Sequence, residues 1–269
     1  MTDGSSFERA QRFERRMQRD VAPRMERFEW GTAYFNPDYP LVWDLNFLEV
    51  EVMDARFTAD DLVSVADELQ GAAGLGHRRV MVDDRTVAEA LAPRFRELGW
   101  MVNKFLFMEL RRAPARSPST RRAREIDRDT HRNTYVRTAS EAPYGSVPDV
   151  VRQLADQIDV IAAKSSVRYF GAVDDDGTVA SACVLFSDGE TAQIEDVATL
   201  KGYQGRGLAT ELLALVISEA KAAGHGLIFL IADAEDWPKE LYGKLGFQAI
   251  GMSYDFVLPG DVVYGNATD

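Results

Sequence analysis

Residues 203–210 read Tyr-Gln-Gly-Arg-Gly-Leu-Ala-Thr, two glycines around one arginine. The segment lies between a strand-like run at 192–198 and a long apolar helical run at 209–222. A strand that hands over to a helix through such a loop leaves backbone N–H groups free at the positive end of the helix dipole. Such a place binds phosphate. The loop is not a P-loop, because no Gly-Lys-Ser/Thr follows it. It is also a poor dinucleotide fingerprint: Thr210 stands where a third glycine belongs, and no clear βαβ unit follows. Alone, a Gly-x-Gly before a helix also reads as an ordinary tight turn, so the flanking residues decide.

Those flanks are ordered. Gln193-Ile-Glu195-Asp196-Val197-Ala198-Thr199-Leu200 precedes the loop, and residues 227–231 read as a buried strand after it. Asp236-Trp-Pro-Lys-Glu-Leu241-Tyr242-Gly-Lys244-Leu-Gly-Phe247 comes next. This set resembles the GNAT superfamily of acyl-CoA-dependent N-acyltransferases. Gln204-Gly-Arg-Gly207-Leu-Ala209 fits the family's Gln/Arg-x-x-Gly-x-Gly/Ala signature, and the Leu-Tyr-x-Lys-Leu-Gly-Phe segment is a second hallmark. The resemblance spans residues 123–258. It implies an acyl-CoA-dependent N-acetyltransferase in which an amine attacks the bound thioester directly.

The resemblance also implies roles. Main-chain groups of Gln204, Gly205, Arg206, Gly207, Leu208, Ala209 and Thr210 would cradle the diphosphate of acetyl-CoA, with Arg206 adding a charge-assisted contact or staying solvated. Lys201 and Lys244 would meet other phosphates. Val197, Ala198 and Thr199 would pair with the pantetheine arm, the Val197 N–H serving as oxyanion donor. Glu195 would take the amine proton; the competing readings are a carboxylate that binds a cationic acceptor or one that points to solvent. Tyr242 would protonate the leaving thiolate, as a phenol of pKa about 10 stays protonated at neutral pH; the competing reading is a core tyrosine. Many members carry asparagine where this chain has Asp236, and an ionised carboxylate can accept but not donate a hydrogen bond. Strand alternation turns Asp196 away from Glu195 unless a bulge intervenes. Glu141 and Tyr144, between two helices, would touch the acceptor; a bland turn is the alternative. His131 and His225 have no metal-ligand spacing, and no metal is expected.

The elements needed to position these residues follow from periodicity. After the segment 113–122, which reads as a linker with two prolines and three arginines, the expected order is a strand at 123–126 and helices at 129–138 and 147–164. Strands at 167–173, 179–186 and 192–198 follow, then the loop helix, a strand at 227–231, a helix at 238–244 and a strand at 249–258. That β-α-α-β-β-β-α-β-α-β order agrees with the core of the resembled fold. The first half echoes the second. His77 to Asp83 and then Leu91 to Trp100 parallel His225 to Ile231 and then Leu241 to Phe247, with Phe95 where the second copy has Tyr242. No Gln-x-x-Gly-x-Gly occurs before residue 113, and the glycines at 71–76 close a helix instead of opening one. The expected fold is therefore α/β (α+β): tandem GNAT folds, each a mixed, mostly antiparallel central sheet flanked by helices. The N-terminal copy, 1–112, is reduced to scaffold, interface or wall of the acceptor pocket, and the catalytic copy is 123–269. Residues 5–25 read as a charged helix, most simply a solvated packing helix.

Composition bounds the rest. The 269 residues are 46% hydrophobic, enough for a sizeable core, and the lone Cys183 cannot form an internal disulfide, which fits a reducing compartment. No apolar run spans a bilayer and no signal peptide is evident, so a cytoplasmic protein without membrane or nucleic-acid partners is expected. The formal net charge is -12. Residues 125–269 hold 11 basic and 23 acidic side chains, against 16 and 20 in residues 1–112. Such acidity disfavours nucleic acid and would draw a cationic small-molecule or peptide amine, or simply keep the protein soluble. A homodimer is compatible with the sequence. The rival readings are a non-catalytic CoA-binding or protein-interaction module on the same fold, and a dinucleotide-binding oxidoreductase domain.

Overall fold

Phe7, Ala10, Phe13 and Met17 recur at helical spacing, and the first helix uses them to dock. In the computed structural model, which describes residues 4–52, 56–114 and 119–260, α1 spans Gly4–Arg19. Ala10, Phe13 and Met17 are buried. Phe13 meets Phe229 edge-on at 5.8 Å and Phe7 meets Phe107 at 5.2 Å. The expected packing helix to residue 25 is thus corrected in its length. It ends at Arg19, and the apolar stripe hidden among its charges pins it to the centre of the sheet.

Two copies of one unit follow. In the first, β1 (Arg24–Phe28), β2 (Gly31–Phe35) and β3 (Phe47–Val50) form an antiparallel meander. Helix α2 (Ala59–Ala72) crosses over to β4 (Arg78–Val82), which lies parallel to β3. Then come α3 (Arg85–Glu97) and β5 (Met101–Leu110). In the second, β6 (Ala123–Ile126), α4 (Arg128–Ser140) and α5 (Pro148–Ala162) precede the meander β7 (Ser166–Val173), β8 (Val179–Ser187) and β9 (Thr191–Thr199). Helix α6 (Leu208–Ala222) crosses to the parallel β10 (Leu227–Asp233), followed by α7 (Pro238–Lys244) and β11 (Phe247–Leu258). Among the described residues the first copy has no counterpart of β6, α4 and α5 in that order. The sequence reading of 123–258 places these elements to within three residues at each end; in the first copy it omits the β1–β2 hairpin.

The two copies share one sheet of 11 strands, ordered β1-β2-β3-β4-β11-β5-β10-β9-β8-β7-β6. Each copy has surrendered its last strand to the other. β5 pairs with β10, β11 pairs with β4, and the two exchanged strands pair with each other. The paired central sheets expected from the tandem reading are therefore one continuous sheet. Ladder hydrogen bonds and the stacked rings of Phe95 and Phe256, 4.1 Å apart, hold one half's last strand in the other half's core. Residues 115–118 of the expected linker lie outside the described residues.

Candidate active site

Strands β9 and β10 start as a pair and then part. Parallel pairing runs from Thr191↔Leu227 to Ile194↔Leu230 and stops, although β9 continues to Thr199 and β10 to Asp233. The edge of β9 from Glu195 onward therefore faces a gap with no ladder partner, and unpaired backbone groups there are available to an extended ligand. On its other edge β9 bulges. Ala182 pairs with Ala198 and Val184 with Glu195, so Asp196 and Val197 together oppose Cys183. Asp196 takes a φ of 55°, the only left-handed non-glycine among the described residues. This kink breaks the alternation that would turn Asp196 away, and it brings Glu195 and Asp196 to the same cavity. Cys183 is fully buried opposite the bulge, with its thiol pushed up by burial, as a structural thiol should be.

At the end of β9 the chain turns through the glycine loop. Gly205 and Gly207 sit at φ of 76° and 79°, the left-handed region in which a Cβ is strained. Gly207 is the N-cap of α6, and no side chain caps that helix. Arg122 holds the loop from behind: its guanidinium donates to the Arg206 carbonyl at 2.9 Å and to Glu211 in the first turn of α6 at 2.7 Å. The first-turn amides of α6 are left without a side-chain acceptor. A helix start with its amides free in this way can hold an anion.

A groove of about 740 Å³ joins loop and gap. Of the residues expected at acetyl-CoA, it is lined by Val197, Ala198, Thr199, Gln204, Gly205, Gly207, Leu208, Ala209, Thr210 and Lys201. Arg206, Asp236 and Lys244 are not on its wall. Arg206 turns outward to Asp174 and stacks over Tyr203 at 4.8 Å. Asp236 accepts from the Trp237 N–H at 2.7 Å, and Lys244 is an exposed residue at the end of α7. Trp237 and Pro238 form part of the wall instead. Glu141, expected at the acceptor, also lies on this groove, where its carboxylate accepts from the Lys201 N–H at 2.8 Å.

The second space is a cavity of about 320 Å³ on the other side of the gap, lined by Glu195, Asp196, Val197 and Tyr242. Val197 and Tyr242 belong to both walls, so groove and cavity meet there. Tyr242 is only 8% exposed, yet its hydroxyl has no hydrogen-bond partner among the described residues. Burial, with Cys183 and Asp236 nearby, pushes its phenol up to about 12. Half of this cavity is built by the first copy: Glu14, Arg15, Asp44, Arg79, Phe105 and Phe107 contribute to it. That half thus supplies strands to the shared sheet and side chains to the wall of this cavity.

The electrostatics of the cavity centre on Gln193. Its Nε2 donates to Glu195 Oε1 and to Glu14 Oε2, both at 2.7 Å, and so clamps a carboxylate from each half. Glu14 also accepts from Gln18 at 3.0 Å. Burial and the nearby charges of Glu14, Asp196 and Asp44 push the Glu195 carboxyl well above the usual range. Burial, followed by Asp44, pushes Asp196 up to about 6. Such carboxylates are stronger bases than free ones. The histidines take no part. His131 is buried and held down to about 4 by burial, and the described residues contain no cluster able to hold a metal. No helix among them is long and apolar enough to cross a membrane.

Residues 124–247 match the sequence model of the acetyltransferase (GNAT) family. Three solved structures share the fold over most of the chain. A functionally unknown conserved protein from Staphylococcus epidermidis is 15% identical with a TM-score of 0.66, covering 89% of this chain and 94% of its own. A GCN5-related N-acetyltransferase from Sphaerobacter thermophilus is 15% identical with a TM-score of 0.56, covering 86% and 78%. A tandem GNAT protein from the clavulanic acid biosynthesis pathway is 12% identical with a TM-score of 0.51, covering 92% and 86%. Comparison with the sequences of curated proteins finds no match.

Proposed function

We propose that this chain, a member of the GNAT acetyltransferase family through residues 124–247, transfers the acetyl group of acetyl-CoA to a primary amine of a small molecule or peptide. The observation that supports this most is the meeting of groove and cavity at Val197 and Tyr242. A donor in the groove and an acceptor in the cavity can touch only there.

The residues divide the work. The α6 amides and the left-handed Gly205 and Gly207 hold the diphosphate. The free edge of β9 takes the pantetheine arm and brings the thioester to Val197. The amine nitrogen attacks the carbonyl carbon, and the oxyanion that forms is met by the Val197 N–H. The amine gives up its proton to Glu195 as the C–N bond forms, and the C–S bond breaks with its electron pair going to sulfur. Tyr242 stays protonated throughout and donates to the departing thiolate. Its raised pKa sharpens the expected role. Full proton transfer to a thiolate of pKa about 8.5 is uphill for this phenol, so it stabilises the charge and solvent completes protonation.

Release of free CoA thiol over a panel of amines tests the reading. Thiol release that saturates with amine and slows in Tyr242→Phe, while acetyl-CoA affinity holds, is expected. Acetyl-CoA binding without thiol release across the panel would favour a non-catalytic CoA-binding module.

A further inference from the structure

The acceptor cavity is longer than one amine requires. Beyond Glu195 and Asp196 it continues into a second chamber of about 290 Å³, and the two share Asp44, Gln157, Ile161, Glu195 and Asp196. Trp43, Tyr135 and Tyr144 bring aromatic rings to the far chamber, and Leu154, Ile158 and Phe186 give it apolar walls. Neither phenol hydroxyl there has a hydrogen-bond partner among the described residues.

The charge of this space is unbalanced. Five carboxylates line the two chambers, those of Glu14, Asp44, Glu195, Asp196 and Asp233, against two guanidinium groups, those of Arg15 and Arg79. Both guanidinium groups are already engaged by further carboxylates. Arg15 pairs with Asp83 at 2.6 Å, and Arg79 with Asp255 at 2.7 Å as well as with Asp44. No lysine or arginine lines the far chamber. Carboxylates gathered in a partly dehydrated space need a positive partner. The amine that faces Glu195 supplies one such charge. The far chamber, with Asp44 beside aromatic faces, offers the setting in which a second cation is held by charge and by ring quadrupoles together. Tyr242 lines the near chamber, and its hydroxyl has no hydrogen-bond partner among the described residues.

We propose that the acceptor is a dication: a primary amine at Glu195, an apolar spacer, and a second cationic group at Asp44 among Trp43, Tyr135 and Tyr144. This rests on the acetyl-transfer reading above and names its substrate class. The turn Trp43–Leu45 belongs to the first half. The reduced copy, without a phosphate loop of its own, would then select the acceptor for the copy that carries the chemistry.

The test compares α,ω-diaminoalkanes of graded length with monoamines of the same chain length, by calorimetric binding to the full chain and by CoA release. A diamine is expected to exceed its matched monoamine in affinity and in kcat/KM by about tenfold or more, the equivalent of about 1.4 kcal/mol. Asp44→Asn should collapse that ratio to below about twofold, an effect confined to the second charge. Because loss of Asp44 also frees Arg79, the wild-type comparison stands as a test by itself. Equal affinity and equal kcat/KM for diamine and monoamine at every length would overturn the dication and leave acetyl transfer standing. Preferential diamine binding without CoA release supports the two-cation site and counts against acetyl transfer.

Discussion

The strand–helix–strand unit β3-α2-β4 and its counterpart β9-α6-β10 share one topology and differ in two details. β3 pairs with β4 through Val50↔Val82, the last residue of each strand. β9 abandons β10 after Ile194 and runs five residues further with β8 as its one neighbour. The second detail is the helix start. Thr58 caps α2, accepting from the Asp61 N–H while Asp61 accepts from the Thr58 N–H in return, and Asp60 and Asp61 add negative charge to the first turn. α6 starts on a left-handed glycine with no side-chain cap. One unit has satisfied its own amides and closed its ladder. The other has left both open, at a cost in stability that a bound ligand can offset. The fold is thus neutral toward function, and the site is made from what the second unit leaves undone.

The largest effect should come from making the second unit resemble the first. Gly207→Asp sets a carboxylate at the start of α6, where it repels a diphosphate and adds a strained Cβ at a left-handed φ. Acetyl-CoA affinity measured by calorimetry should fall about a hundredfold, about 2.7 kcal/mol. Unchanged affinity would detach the loop from the donor.

Next in size is Glu195→Gln, expected to lower kcat by about a hundredfold or more with acetyl-CoA affinity retained. The pH profile carries the sign. The Glu195 carboxyl is held high by burial and by Glu14, Asp196 and Asp44, so kcat/KM of the wild type should drop as pH falls through that raised value. Glu14→Gln removes a like charge from the Gln193 clamp and should move this acidic limb to lower pH. A limb that stays in place would leave Glu14 a packing role only.

The smallest effect tests the first unit. Thr58→Ala removes the α2 cap and should cost about 1 kcal/mol in urea unfolding. Acetyl-CoA binding should not change. A loss of binding there would mean the first unit also serves the donor, and the contrast would fail.

Much of this was legible in the residues, for reasons that differ by region. The second half has strict periodicities and turn glycines, so its elements and the loop at 204–210 could be read directly. Glu195, Val197 and Tyr242 could be placed because local order in the chain fixes them on one strand and one helix. What the sequence hid is non-local. The exchange of β5 and β11 depends on pairing choices between similar apolar strands, which no local pattern distinguishes. Glu14 and Asp44 reach the cavity from a helix and a turn about 180 and 150 residues away in the chain, and each looks like one more surface acid. The Phe7, Ala10, Phe13, Met17 spacing was the available signal that α1 docks, masked by its density of charge. Arg206, read from its place between the glycines as a phosphate contact or a solvated side chain, turns outward to Asp174.

Amide hydrogen exchange, followed with and without acetyl-CoA, tests the central contrast most directly. Protection on ligand binding is predicted at residues 195–199 and 204–211, along the open edge of β9 and the start of α6, with no change at 47–50 and 59–62 in the closed unit. Equal protection in both units, or none at 195–211, would contradict the account.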